Sequence, residues 1–186
     1  MHHVVLLLGS NIDKQKMLPS AVRLLAEKET LLAVSFVYEA AAVGSPQYPN
    51  FFNAAVLIGT GKSAVALKDG PLLTIEQELG RRRTADRNAP RTIDLDIALY
   101  DNLIFDYTPA DGQTRHIPEP DLLRYAHCAF PVADILPLMN HPETGETMRS
   151  IAERIARQMA VGTGPTIWKR EDVDLRPLLG ASGSTR

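Results

Sequence analysis

Two aspartates one residue apart, Asp94 and Asp96, follow a segment dense in arginine. Between residues 81 and 91, Arg81, Arg82, Arg83, Arg87 and Arg91 stand against one acid, Asp86. From Ile93 to Leu99 the apolar residues Ile93, Leu95, Ile97 and Leu99 alternate with Asp94, Asp96 and Ala98, the period of a half-buried strand. At a rise of roughly 3.3 Å per residue the two carboxylates project to one side, about 6 to 7 Å apart. Uncompensated, they repel each other and resist burial. A divalent cation resolves that conflict, and magnesium suits the pair because it takes one or two protein carboxylates and completes its octahedron with water and phosphate oxygens. The neighbouring guanidinium forks match a polyphosphate. Metal ligands and phosphate ligands side by side are what phosphoryl transfer needs, since its catalysis is positioning plus charge stabilisation. Taken singly, an Asp-x-Asp pair more often marks a solvated strand face, and an arginine-rich loop an exposed surface; adjacency favours the site.

The elements that must position these residues are legible on both sides. Val4 to Leu8 is a continuous apolar run ending at Gly9-Ser10-Asn11, consistent with a strand buried on both faces and a turn. Met17, Ala21, Leu24 and Leu25 have helical spacing, and Pro19 places the regular helix start near itself. Leu31 to Tyr38 reads as a second strand, Ala40 to Asn50 as an exposed loop, and Phe51 to Ile58 as a third strand closed by Gly59-Thr60-Gly61. Pro71 opens a helix with Leu72, Ile75 and Leu79 on one face and Gly80 at a left-handed C-cap, which leaves Ser63 to Asp69 as a separate turn. Asp101-Asn102 signals a hairpin onto Leu103 to Phe105. Beyond an extended Ile117 to Pro120, Asp121 is an N-cap candidate for a short helix over Leu122 to Ala129, and Met148 to Met159 an amphipathic helix. The grouping predicts an α+β protein, a mainly antiparallel mixed sheet with helices packed on it, including a βαβ unit from Val4 to Tyr38. Residues 1–179 read as a single domain and the Gly/Ser-rich 180–186 as a disordered tail.

At 186 residues, net charge -2 and pI near 6.2, the composition argues against a dedicated nucleic-acid binder. The arginines are therefore a local site. Cys128, the sole cysteine, excludes an internal disulfide, and no apolar run reaches membrane-spanning length, so the reading is a cytoplasmic protein with no membrane or nucleic-acid partner. Oligomeric state is not legible.

Arg91 to Ile97, preceded by Glu76 and Gly80-Arg81-Arg82-Arg83, resembles the signature of the 6-hydroxymethyl-7,8-dihydropterin pyrophosphokinase family of folate biosynthesis. Leu8-Gly9-Ser10-Asn11 and Phe51-Phe52-Asn53-Ala54-Ala55-Val56 are similar to the same family, in order, from about Val4 to about Tyr100 and more weakly to Pro137. The resemblance implies an αβα sandwich with ferredoxin-like topology. It also implies transfer of the β,γ-diphosphate of ATP, with two magnesium ions on Asp94 and Asp96, to the hydroxymethyl group of the pterin. Arg81 and Arg91 match positions that stabilise the transferring group. Arg83 and Arg87 match positions on a mobile loop that closes over ATP, and Glu76 and Ile97 match adenosine-side contacts. For the pterin it implies Asn53, Phe51 and His127 side chains with backbone groups of Ala40, Ala42 and Val43. The family's Thr-Pro-Pro is Ala40-Ala41-Ala42 here, its Pro-His-Pro is Pro118-Glu119-Pro120, its Arg-x-Phe is Tyr125-Ala126-His127, and a loop tryptophan is Asn88. Two alternatives stand beside it: a diverged magnesium–ATP transferase with a different acceptor, and a noncatalytic module whose arginines meet RNA or an acidic partner.

Overall fold

The computed structural model describes residues 1–43, 47–82, 89–161 and 167–179. Arg83, Arg87, Asn88 and the tail over 180–186 lie outside the described residues. The strands are β1 (His2–Ser10), β2 (Thr30–Val34), β3 (Val37–Ala40), β4 (Phe51–Thr60), β5 (Asp94–Tyr100), β6 (Phe105–Tyr107), β7 (Arg115–Ile117) and β8 (Ile167–Arg170). The helices are α1 (Lys14–Lys28), α2 (Ala64–Leu67), α3 (Leu73–Glu78), α4 (Ala126–Ile135) and α5 (Met148–Val161).

The main sheet runs β5-β1-β4-β3-β8, with β2 also on β4, and every pairing among the described strands is antiparallel. Because β1 and β2 both run antiparallel to β4, they are parallel to each other, with α1 as their crossover and β4 between them. Likewise β4 and β5 flank β1, joined through α2 and α3. Two interleaved split βαβ units are the ferredoxin-like arrangement. One sheet face buries Leu6, Leu8, Leu95 and Ile97 against Leu18 and Leu25 of α1 and Leu72 and Ile75 of the second crossover. The opposite face buries Val5, Ala55 and Leu99 against α4 and α5. These are the three layers of an αβα sandwich, with β1 and β4, each contributing to the core, as its interior strands. Among the described residues no helix is long and apolar enough to cross a membrane.

Several local expectations are corrected. The helix α1 begins at Lys14, five residues before Pro19, because the Asn11 and Ile12 amides bond to Arg91 O at 3.1 and 3.2 Å and tie the entry down while Leu18 is fully buried. The second strand is broken at Ser35-Phe36 into β2 and β3. Residues 64 to 78 form one unbroken helical run, in which Lys68–Leu72 makes a π-helical turn around Gly70-Pro71. Gly80 does adopt the left-handed conformation, φ 75°. Asp101 turns the chain at φ 48°, but its carboxylate accepts from the His3 amide at 2.7 Å, and the chain does not fold back onto β5; β6 pairs with β7 in a separate sheet. Glu119, rather than Asp121, caps the 3-10 turn Pro120–Leu123, and α4 begins only at Ala126. The strand β8 has no counterpart among the sequence expectations.

Candidate active site

The alternation on β5 holds where it matters. Leu95 and Ile97 face the α1 layer while Asp94 and Asp96 face the other side, their side chains 19 % and 41 % exposed. It fails at the strand's end. Val5 pairs with Leu99 and Leu6 with Ile97, so Ala98 is an extra residue, and this bulge puts Leu99 on the face opposite Leu95.

The turn after β1 positions the arginine segment. Asn11 Oδ1 accepts from the Arg91 amide at 2.7 Å and Ser10 Oγ donates to Thr92 O at 2.5 Å, so Gly9-Ser10-Asn11 clasps the residues leading into β5. Gly9 lies in register between Asn53 on β4 and Asp94 on β5. A Cβ there would sit 3.7 Å from Asn53 Oδ1 and 4.0 Å from Asp94 Cβ, so larger side chains would fill the floor that glycine leaves open.

Two cavities meet at the aspartates. One, about 340 Å³, is lined by Ala40, Ala42, Val43, Phe51, Asn53 and His127 together with Gly9. The other, about 550 Å³, is lined by Lys68, Arg81, Ile97, Tyr107, Gln113 and Arg115. Arg91, Asp94, Asp96, Glu119 and Asp121 line both. The structure thus gathers all the residues expected of the acceptor into one cavity, and Arg81, Arg91 and Ile97 into the adjoining one. Glu76 lines neither. It is 1 % exposed, and its Oε1 accepts from the Leu95 amide and from Arg81 Nη1, each at 3.0 Å, which fixes Arg81 to the sheet from behind.

Each aspartate is already charge-compensated. Arg81 Nη1 donates to Asp94 Oδ1 and Arg91 Nη1 to Asp94 Oδ2, occupying both oxygens. Lys68 Nζ donates to Asp96 Oδ1 at 2.9 Å and to Leu95 O, 3.6 Å from Glu76 Oε1. Burial works against the Lys68 ammonium, yet the Asp96, Glu76 and Asp94 carboxylates raise its pKa above the ordinary lysine value. Burial likewise opposes ionisation of Asp96, and the contact with Lys68 overrides it, holding the Asp96 pKa below normal. For Glu76 and Glu119 burial prevails and pushes the carboxyl pKa up. Burial lowers that of His127, whose ring stacks on Tyr125 with centroids 5.3 Å apart, and so favours the neutral imidazole. Tyr107 is pushed up to about 12 by burial.

Lys68, Tyr107 and Arg115 escaped the sequence reading. A lysine inside an apolar helix segment ordinarily faces solvent, and the one available signal was Gly70-Pro71. On a regular α-helix eight residues separate two side chains by about 80°, but the extra residue in a π turn makes eight equivalent to seven, about 20° from alignment. That turn lets Lys68 and Glu76 face β5 together.

Among the described residues no group of three or more His, Cys, Asp or Glu could hold a metal. The donor set is the carboxylate pair, with Asp96 Oδ2 taking no hydrogen bond from a described residue. This fits a magnesium ion that draws its remaining ligands from water and phosphate, not from the protein.

The sequence profile of 7,8-dihydro-6-hydroxymethylpterin-pyrophosphokinase matches residues 5–137. Among curated proteins, the folic acid synthesis protein fol1 of Pneumocystis carinii is 30% identical over 173 residues, covering 92% of this chain and 22% of that protein. The 2-amino-4-hydroxy-6-hydroxymethyldihydropteridine pyrophosphokinase of Pseudomonas aeruginosa is 31% identical over 148 residues, covering 77% of this chain and 86% of that one. Among solved structures, an HPPK-DHPS in complex with substrates aligns with TM-score 0.70 at 15% identity, over 87% of this chain and 45% of that chain. The wild-type Plasmodium falciparum HPPK-DHPS with pterin and p-hydroxybenzoate aligns with TM-score 0.68 at 12% identity, over 85% and 42%. The chain therefore spans about a fifth of the length of the fungal relative and under half of these structural neighbours.

Proposed function

The chain belongs to the 7,8-dihydro-6-hydroxymethylpterin-pyrophosphokinase family, and from that premise we propose that it transfers the β,γ-diphosphate of ATP to the hydroxymethyl oxygen of 6-hydroxymethyl-7,8-dihydropterin, releasing AMP for a pathway of folate synthesis. The observation that carries the reading is the meeting of an apolar, amide-bearing cavity with a cationic one at Asp94 and Asp96. In the first cavity Phe51 offers a stacking face, His127 the second wall, and Asn53 an amide whose donors and acceptor complement a pterin edge. Asn53 Nδ2 lies 3.3 Å from Tyr38 O, which fixes the amide's orientation. In the second, Arg81, Arg91 and Arg115 suit triphosphate oxygens, with Ile97 on the nucleoside side. Arg83 and Arg87 belong to the same ATP set by resemblance.

The hydroxymethyl oxygen attacks the β phosphorus and gives up its proton to solvent, the bond from that phosphorus to the oxygen bridging the α phosphate breaks, and AMP leaves with that oxygen. Asp94 and Asp96 would hold two magnesium ions, which when bound neutralise phosphate charge and lower the pKa of the attacking hydroxyl. Arrival of a triphosphate gives Arg81 and Arg91 stronger acceptors than Asp94 and releases that carboxylate for its ligand role. Lone-pair competition of this kind is set by charge: a phosphate group presents more negative charge than one carboxylate. Glu76 keeps Arg81 in place from beneath. A cytoplasmic setting is part of the same reading, supported by the single cysteine and the soluble metabolites involved.

Incubation with ATP, magnesium and 6-hydroxymethyl-7,8-dihydropterin is expected to yield AMP and the pterin diphosphate, read by chromatography. ADP, or no nucleotide product, would overturn the assignment. An acceptor other than this pterin is the second reading, favoured by the Ala40 to Ala42 wall and by His127 in place of a phenyl ring. Thermal shifts across pterins and purines in the presence of a nonhydrolysable ATP analogue separate the two.

A further inference from the structure

The three described cations that bond to the aspartates are not equivalent. Arg81 and Arg91 hold Asp94 and both line the cationic cavity, where phosphate oxygens can compete for them. Lys68 cannot be drawn away in this manner. Its side chain is 5 % exposed, its Nζ is tied to the backbone oxygen of Leu95 as well as to Asp96, and it projects from a π turn wedged against β5. We propose that Lys68 is a resident counter-cation for Asp96, one that keeps a divalent ion off the carboxylate pair until a polyphosphate arrives with it. The proposal rests on the reading of Asp94 and Asp96 as metal ligands given above.

The physical argument is a competition of two terms. Lys68 orients Asp96 by one hydrogen bond to Oδ1, leaving Oδ2 without a hydrogen bond from a described residue on a carboxylate that lines both cavities, and that orientation favours a metal. It also places a positive charge within one carboxylate's width of the ion's position, and that opposes a metal. Because the Lys68 side chain is 5 % exposed, solvent screens its charge little even though Asp96 is 41 % exposed, and repulsion between a monocation and a dication across a few ångströms exceeds the worth of one orienting hydrogen bond. The opposing term wins. When a triphosphate supplies several further negative oxygens, the balance reverses and the same lysine becomes part of the cationic lining that neutralises the phosphates. Metal and nucleotide binding are thereby coupled through a side chain that lines the cationic cavity and is tied to both Asp96 and the backbone of β5.

The test is titration of the full chain with Mn²⁺, free ion read by electron paramagnetic resonance, with and without a nonhydrolysable ATP analogue. Without analogue, Lys68→Met and Lys68→Gln are expected to bind Mn²⁺ at least about tenfold more tightly than the wild type, Lys68→Arg about equally, with the difference shrinking once analogue is bound. Lys68→Gln retains a donor for Asp96, so it separates charge from hydrogen bonding and stands in if the Met variant does not fold. Unchanged or weaker Mn²⁺ affinity in the neutral variants would overturn the role of Lys68. So would a wild type that binds Mn²⁺ as tightly without nucleotide as with it, a measurement needing no variant. If the wild type holds no Mn²⁺ even with analogue, or if Asp94→Asn and Asp96→Asn leave that binding intact, the metal-ligand reading fails, and the role of Lys68 with it.

Discussion

Side by side, the two cavities that meet at Asp94 and Asp96 are held together in different ways. The one lined by Lys68, Arg81 and Arg115 is a charge network in which each cation answers a carboxylate: Lys68 with Asp96, Arg81 with Asp94 and Glu76, Arg115 with Asp111 at 2.6 Å. The one lined by Ala40, Ala42, Phe51 and His127 is held by shape, with Asn53, Arg91 and the shared acids as its polar points. Most of the first comes from residues 68 to 97 and is anchored from below by a buried acid. The second is assembled from the end of β1, the start of β4, the chain after β3 and the start of α4. A network of paired charges loses function abruptly when one member goes, because the partner is left buried and unpaired. A wall of apolar side chains changes fit by degrees.

That contrast can be broken most sharply at its junction. Asp94→Ala and Asp96→Ala are each expected to lower AMP formation by on the order of 10³-fold or more while the fold persists, measured as turnover at saturating ATP and pterin. Activity retained in both would mean that the charged half is not the chemical half. Next in size is Glu76→Ala, which leaves the Leu95 amide without its carboxylate and takes from Arg81 the buried one of its two acids: a loss of about 3 kcal/mol in urea unfolding, with weaker nucleotide binding alongside. A change under 1 kcal/mol would show that the network does not depend on its buried anchor. On the shape-held side, Gly9→Val is expected to raise the KM for pterin about tenfold and leave that for ATP within a factor of about two, since its methyl groups fill the floor between Asn53 and Asp94. Equal effects on both substrates would blur the division between the cavities.

The smallest effect belongs to a residue just outside the lining of the charged cavity. His116, next to Arg115, bridges Asp106 at 2.6 Å and Glu143 at 3.0 Å, and these bonds raise its pKa above 6.5. A histidine whose folded pKa is raised contributes stability that is complete below its unfolded value and disappears as pH rises through the folded one. Wild type and His116→Gln should therefore differ in stability below pH 6.5 and converge above the raised value, by under about 1 kcal/mol because the pair is solvent-exposed. A difference that grows with pH would reverse the sign and refute the assignment.

How much was legible in the chain follows the same division. The facing of Asp94 and Asp96, the arginines before them and the left-handed Gly80 were readable because strand period, side-chain charge and backbone sterics act within a few residues. The resemblance extended that reading to the acceptor residues, and the structure gathers Ala40, Ala42, Val43, Phe51, Asn53 and His127 into one cavity. The edge strand β8 was not readable, because Ile167 to Arg170 becomes a strand only by pairing with β3, more than a hundred residues earlier. Nor was the bulge at Ala98, which exists only in register with β1.

By itself, then, the sequence determined the inventory and its local geometry: two acids aimed one way, a run of forked cations, alternating layers of strand and helix. Only the tertiary structure decided which charge answers which. Glu76, assigned to the adenosine side by resemblance, is buried beneath Arg81 and paired with it; Lys68, which the sequence reading left unremarked within a separate turn, is the partner of Asp96. The reason is range. Periodicity is fixed by bonds between neighbours, whereas an ion pair between residues 28 positions apart depends on how a π turn rotates a helix against a strand.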